Sequence, residues 1–107
     1  MATFKRLLSR GVTSTPTIIG AYTTTVATTV IGLTVSNTYT VTIKVKISLY
    51  DGTNDTYIVK DADIPVGGAL VAVGGDQKVV LQAGDSIRIS TDNAAYTCDA
   101  ILSVLEV

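Results

Sequence analysis

Asp51, Asn54, Asp55, Asp61 and Asp63 form the densest run of oxygen ligands in the chain. Such a run would serve cation binding, and calcium takes about six to eight oxygens. This one lacks the spacing of the helix-flanked calcium loop. It also lacks a bidentate glutamate, because the single Glu of the chain is Glu106. Asp and Asn close turns through their own side chains, and turn closure is the reading taken for residues 51–55; no metal site is assigned. Paired carboxylates also hydrolyse glycosides, but that chemistry needs a cleft that pushes their pKa values apart. A chain with one Glu, five Tyr, one Phe and no Trp offers little to build such a cleft.

Composition removes most of the remaining catalytic repertoire. With no His and one Cys, this chain cannot by itself supply a Ser-His-Asp triad, a Cys-His dyad or a Cys/His zinc site. Cys98 has no internal disulfide partner, and its position on an apolar strand face makes it a small core residue. The pairs Gly67-Gly68 and Gly74-Gly75 open no helix, so they read as turns rather than phosphate loops. No catalytic residue and no cofactor are implied, and the chain is not expected to be an enzyme.

The elements that would position any site are strands. Of 107 residues, 17 Thr, 14 Val and 10 Ile are β-branched, and such side chains suit a pleated surface better than a helix. Residues 39–50 alternate cleanly, with Val41, Ile43, Val45, Ile47 and Leu49 on one face and Lys44 and Lys46 on the other. Asp51-Gly52 opens a turn, and residues 55–60 return as the hairpin partner. Further strands are expected over 17–25 (broken at Gly20), 28–36, 69–73, 78–82, 86–91 and 95–106. Along 28–36, Thr29, Ile31, Leu33 and Val35 are expected to share a face. Turns are expected at Asn37-Thr38, at Ile64 to Gly68 and at Gly74-Gly75-Asp76. Tyr39 and Tyr57 are expected to pair across the hairpin, and Tyr22 and Tyr96 to pack in the core. About eight short strands in one domain predict an all-β fold: a single antiparallel β-sandwich, jelly-roll-like, over residues 13–107. Residues 1–12 are set apart as a basic N-terminal arm.

Charge is unevenly distributed. Residues 1–50 hold Lys5, Arg6, Arg10, Lys44 and Lys46 without an acid, and the rest carries three cations against nine acids. Such polarity favours association between copies or docking of the arm on an acidic partner. Five scattered cations without an aromatic platform make no nucleic-acid groove. No apolar run approaches the roughly 20 residues of a membrane helix, so neither nucleic acid nor membrane is an expected partner.

The last strand is apolar on both faces. Tyr96, Cys98, Ala100, Leu102 and Val104 share one side, while Ile101 and Leu105 stand among Thr97, Asp99 and Ser103 on the other. A small sandwich cannot bury both sides of a strand in its own core, so a second partner is implied. Uncharged threonine-rich faces at Thr23-Thr24-Thr25 and Thr28-Thr29 suit contact surfaces as well. The candidate interface residues are Phe4, Lys5, Arg6, Leu7 and Arg10 of the arm, with Ile101 and Leu105.

The stretch Ile64-Pro65-Val66-Gly67-Gly68-Ala69-Leu70, then Gly75-Asp76 through Leu81-Gln82-Ala83-Gly84-Asp85-Ser86-Ile87-Arg88, resembles small β-sandwich virion proteins of tailed bacteriophages. The terminal Leu105-Glu106-Val107 belongs to the same pattern. The resemblance covers the second half of the chain; the first half agrees in its Thr-rich strands and in the segment from Ile31 to Asn37. It implies a capsid decoration (cement) subunit, or else a neck, collar or tail accessory subunit, assembled in the host cytoplasm and located in the virion. The implied partners are the major capsid protein or another virion protein, and copies of the chain itself as a homo-oligomer. A carbohydrate-binding β-sandwich module is the alternative from a different class. No residue-level site carries over from the resemblance.

Overall fold

Strand β4 (Ile43–Tyr50) buries Ile43, Val45 and Ile47 completely and turns Lys44 and Lys46 outward, as its alternation predicts. It pairs antiparallel with β5 (Asp55–Ile64) through the turn at Asp51, whose Oδ1 accepts the amides of Thr53 (2.9 Å) and Asn54 (2.7 Å). The hairpin is therefore closed by the carboxylate that the cation reading singled out.

The structure, a computed structural model, describes residues 2–74 and 78–107. The other strands are β1 (Thr3–Val12), β2 (Thr17–Ile18), β3 (Thr28–Asn37), β6 (Ala69–Val73), β7 (Val79–Leu81), β8 (Ser86–Thr91) and β9 (Cys98–Glu106). They form two antiparallel sheets, ordered β1-β9-β3-β6 and β2-β8-β4-β5, with β7 also on β3. With β6 and β7 counted as one position beside β3, each sheet is four strands wide. Apart from the β4–β5 hairpin and the shared position of β6 and β7, successive strands alternate between the sheets in the order of a jelly roll. The core between them is aliphatic, built around Ile19, Leu33, Ile47, Ile89 and Leu102. Cys98 is fully buried in it as expected, and burial pushes its thiol up to about 11.

Several expectations are corrected. Along β3 the register slips between Val30 and Gly32, so Val30, Leu33 and Val35 all face the core and the simple alternation fails. Strand β4 starts at Ile43 rather than at residue 39, because Asn37 folds the preceding residues into a loop. Its Oδ1 accepts the Tyr39 amide (2.7 Å), and its Nδ2 donates to the Val41 carbonyl (2.8 Å). Only Thr17 and Ile18 of 17–25 are strand. A 3-10 turn (Ile19–Ala21) follows, with Gly20 at φ 63°. A Cβ on Gly20 would lie 2.9 Å from the Leu7 Cβ, so the break at Gly20 is a point of close backbone approach. Tyr39 stacks on Tyr96 (centroids 4.9 Å apart) and not on Tyr57. Thr24 and Thr28 are buried rather than presented, and the Thr24 hydroxyl donates to the Gln82 carbonyl at 2.6 Å. Of the turn expected at 74–76, Gly75 and Asp76 lie outside the described residues.

Candidate interaction face

The residues of the first sheet that point away from the core line up in cross-strand rows. Phe4 pairs with Leu105, Leu105 with Thr29, and Thr29 with Val80. Four residue pairs further on, Leu8 pairs with Ile101, Ile101 with Thr34, and Thr34 with Val71. These rows place large apolar side chains in water: Phe4 is 73% exposed, Val71 65%, Val80 59% and Ile101 51%. Between the rows, Arg6 stands opposite Ser103, which in turn faces Gly32. Beyond them a shallow depression of about 330 Å³ is lined by Leu8, Arg10, Thr34, Ser36, Asp99 and Ile101. Arg6 and Arg10 are exposed, and neither makes an ion pair among the described residues.

The outer face of the second sheet is built the opposite way. Arg88 grips Asp55 with two nitrogens, Nε to Oδ1 at 3.1 Å and Nη2 to Oδ2. Its guanidinium lies 3.9 Å over the ring of Tyr50. The Ser48 hydroxyl donates to the same carboxylate at 2.8 Å. The Arg88 guanidinium holds the Asp55 carboxyl below the usual carboxylate range. Lys44 pairs with Asp63 (2.7 Å) and Lys46 with Asp61 (3.4 Å). A groove of about 390 Å³ runs over Lys46, Ser48, Asp55, Tyr57, Arg88 and Asp92; in it Asp55 and Arg88 are spent on one another, Lys46 is held by Asp61, and Asp92 accepts the Lys44 amide. The carboxylates considered for cation binding are thus each engaged by an amide or a cation. Among the described residues no group of three or more His, Cys, Asp or Glu is arranged to hold a metal.

Five of the seven candidate interface residues, Phe4, Arg6, Arg10, Ile101 and Leu105, meet on the apolar face. Lys5 and Leu7 turn inward. Lys5 Nζ lies 3.2 Å from Glu106 Oε1, and the Tyr22 hydroxyl donates to Oε2 of the same carboxylate. Leu7 packs against the core and Gly20. Period-two alternation along β1 separates Lys5 and Leu7 from their neighbours and brings in Leu8, a signal already present in the sequence. Val71 and Val80 were missed because their place depends on which strands flank β3.

No family model matches the chain, and no curated protein matches it. Solved structures do. A chain of the Bacillus endospore appendages, described as a novel family of disulfide-linked pili, superimposes with a TM-score of 0.63. That match covers 99% of this chain and 88% of the other, at 16% identity. The likeness is one of fold. Two structures of a pentameric capsid protein isolated from metagenomic phage sequences match with TM-scores of 0.46 at 18% identity. They cover 94% of this chain, which spans 61% and 59% of their length. Among the described residues no helix is long and apolar enough to cross a membrane.

Proposed function

We propose that this chain is a non-enzymatic structural subunit of a bacteriophage virion, a decoration protein that coats and stabilises the assembled shell. The observation that carries the reading is the contrast between the two outer faces. One holds Lys44, Lys46 and Arg88 in internal ion pairs, while the other exposes two apolar rows with the unpaired Arg6 between them and the unpaired Arg10 beyond. Exposed apolar area of this kind is costly in water and is recovered on a partner. Arg6 and Arg10 suit it to an acidic shell surface. The resemblance of residues 64–88 to phage virion proteins supports the location. Such a subunit acts by mass action: it binds the assembled shell and not its loose components, and so stabilises the assembled state.

Copy number tests the proposal. Purified particles are digested, and this chain is quantified against the major shell protein by mass spectrometry. A ratio comparable to the shell subunit is expected. A small ring-like number would move the chain to the neck or tail, and its absence from the particle would overturn the virion reading.

A further inference from the structure

Strand β1 is the part of the sandwich least committed to the core. Of its ten residues only Val12 is buried, Leu7 and Ser9 are half-buried, and the others are exposed. It is an edge strand, paired on one side with β9 from Thr3 opposite Glu106 to Ser9 opposite Ala100. Its remaining ties run to β9, to the 3-10 turn and the Tyr22 that follows it, and through Leu7 to the rim of the core. Lys5 pairs with Glu106, and the Ser9 hydroxyl accepts the Gly20 amide at 2.9 Å. The register breaks between Ser9 and Val12 at Gly11, whose φ of 62° puts it in the left-handed region. Val12 and the loop 13–16 then belong to the body. Residues 3–10 and the body are therefore two complementary surfaces joined through one glycine.

We propose that this strand is exchanged between copies: residues 3–10 of one chain pair with β9 of a neighbouring chain. The inference rests on the assembly reading above and supplies its lateral contact. The fit needs no new surface, because every copy carries the same arm and the same β9 edge. Reach is set by the hinge: residues 3–9 are all used in pairing, so the three steps from Ser9 to Val12, about 10 Å when extended, carry the chain across to a β9 edge packed alongside. Charge favours it too. The arm carries Lys5, Arg6 and Arg10 without an acid, whereas the residues after it hold five cations against nine acids. Closed and exchanged forms make the same contacts, so their balance follows the local concentration of neighbours. Crowding copies on a particle raises that concentration.

The test uses Arg6→Cys with Ser103→Cys, register partners on the outward side of the β1–β9 ladder. The full chain is oxidised at high and low concentration, and free and particle-bound samples are run on non-reducing denaturing gels. Exchange predicts a ladder of linked chains that needs both substitutions and collapses to an internally bridged monomer on dilution. Leu8→Cys with Ile101→Cys reads the same ladder if the first pair misfolds. Internally bridged monomers alone, in samples that light scattering shows to be assembled, would overturn exchange and leave the assembly reading standing. A chain that stays monomeric at every concentration and binds no particle would remove both.

Discussion

The side-chain amide of Asn37, at the end of β3, donates to the carbonyl of Ile64, at the end of β5, across 2.9 Å. One buried side chain thereby ties the two sheets together at one end of the sandwich, and its second amide hydrogen holds Val41. Asn37→Leu removes both donors and leaves their acceptors without them. A loss of about 2–4 kcal/mol in urea unfolding is expected. Asn93→Ala serves as the exposed comparison, because its Oδ1 caps only the Ala95 amide, and it should cost under ~1 kcal/mol.

Leu105 stands between Phe4 and Thr29 on the apolar face. Leu105→Asp is expected to abolish binding to particles and to other copies, read by sedimentation. The melting temperature should fall by only a few degrees, as for a surface substitution costing about 1 kcal/mol. Unfolding of the free chain would instead make Leu105 part of the core and remove the face from consideration.

Gly20 meets Leu7 too closely for any side chain and has a positive φ. Gly20→Ala is expected to cost about 1–3 kcal/mol. Its effect should concentrate on β1, so limited proteolysis would cut the first ten residues before the body. Gly11→Ala has the same backbone strain but nothing within 4 Å of the added methyl, and should cost less.

Acid should destabilise the fold in a defined window. Arg88 lowers the pKa of Asp55, the Tyr22 hydroxyl and Lys5 lower that of Glu106, and the amides of Asn54 and Thr53 lower that of Asp51. A carboxylate lowered on folding contributes stability above its unfolded value, and that contribution is lost as pH falls through the native one. Stability should therefore hold steady from neutral pH down to about 5. It should then decline through the ordinary values of 4.5 for Glu and 3.8 for Asp. Asp55→Asn should flatten the acid side of the curve measured by chemical denaturation.

Cys98 should resist a thiol reagent until the chain unfolds, since it is fully buried and its thiol is pushed up to about 11. Labelling rates should follow global unfolding across denaturant. Assemblies of this chain should withstand reducing agent unchanged, because Cys98 is its single cysteine.

Legibility in the sequence followed how local each signal was. The lysines at 44 and 46 between Ile43, Val45 and Ile47 mark a half-buried strand without reference to anything else. The second apolar side of β9 was legible from its alternation, and Ile101 and Leu105 lie on the outer face of the first sheet. The slip at Gly32 was harder to read, because a bulge shifts the faces while leaving the composition of the strand intact. The stacking of Tyr39 on Tyr96 was out of reach, since it depends on which distant loops the jelly roll brings side by side.

The ion-paired outer face has a consequence for growth. A copy seated through its apolar rows turns toward the medium a surface whose Lys44, Lys46 and Arg88 are already answered within the same chain. The next copy arriving from solution finds there the ring of Tyr57 with Lys60 held over it, but no apolar row. A tile adhesive on one side spreads sideways and does not stack. For the decoration subunit proposed above, the expected coat is a single layer.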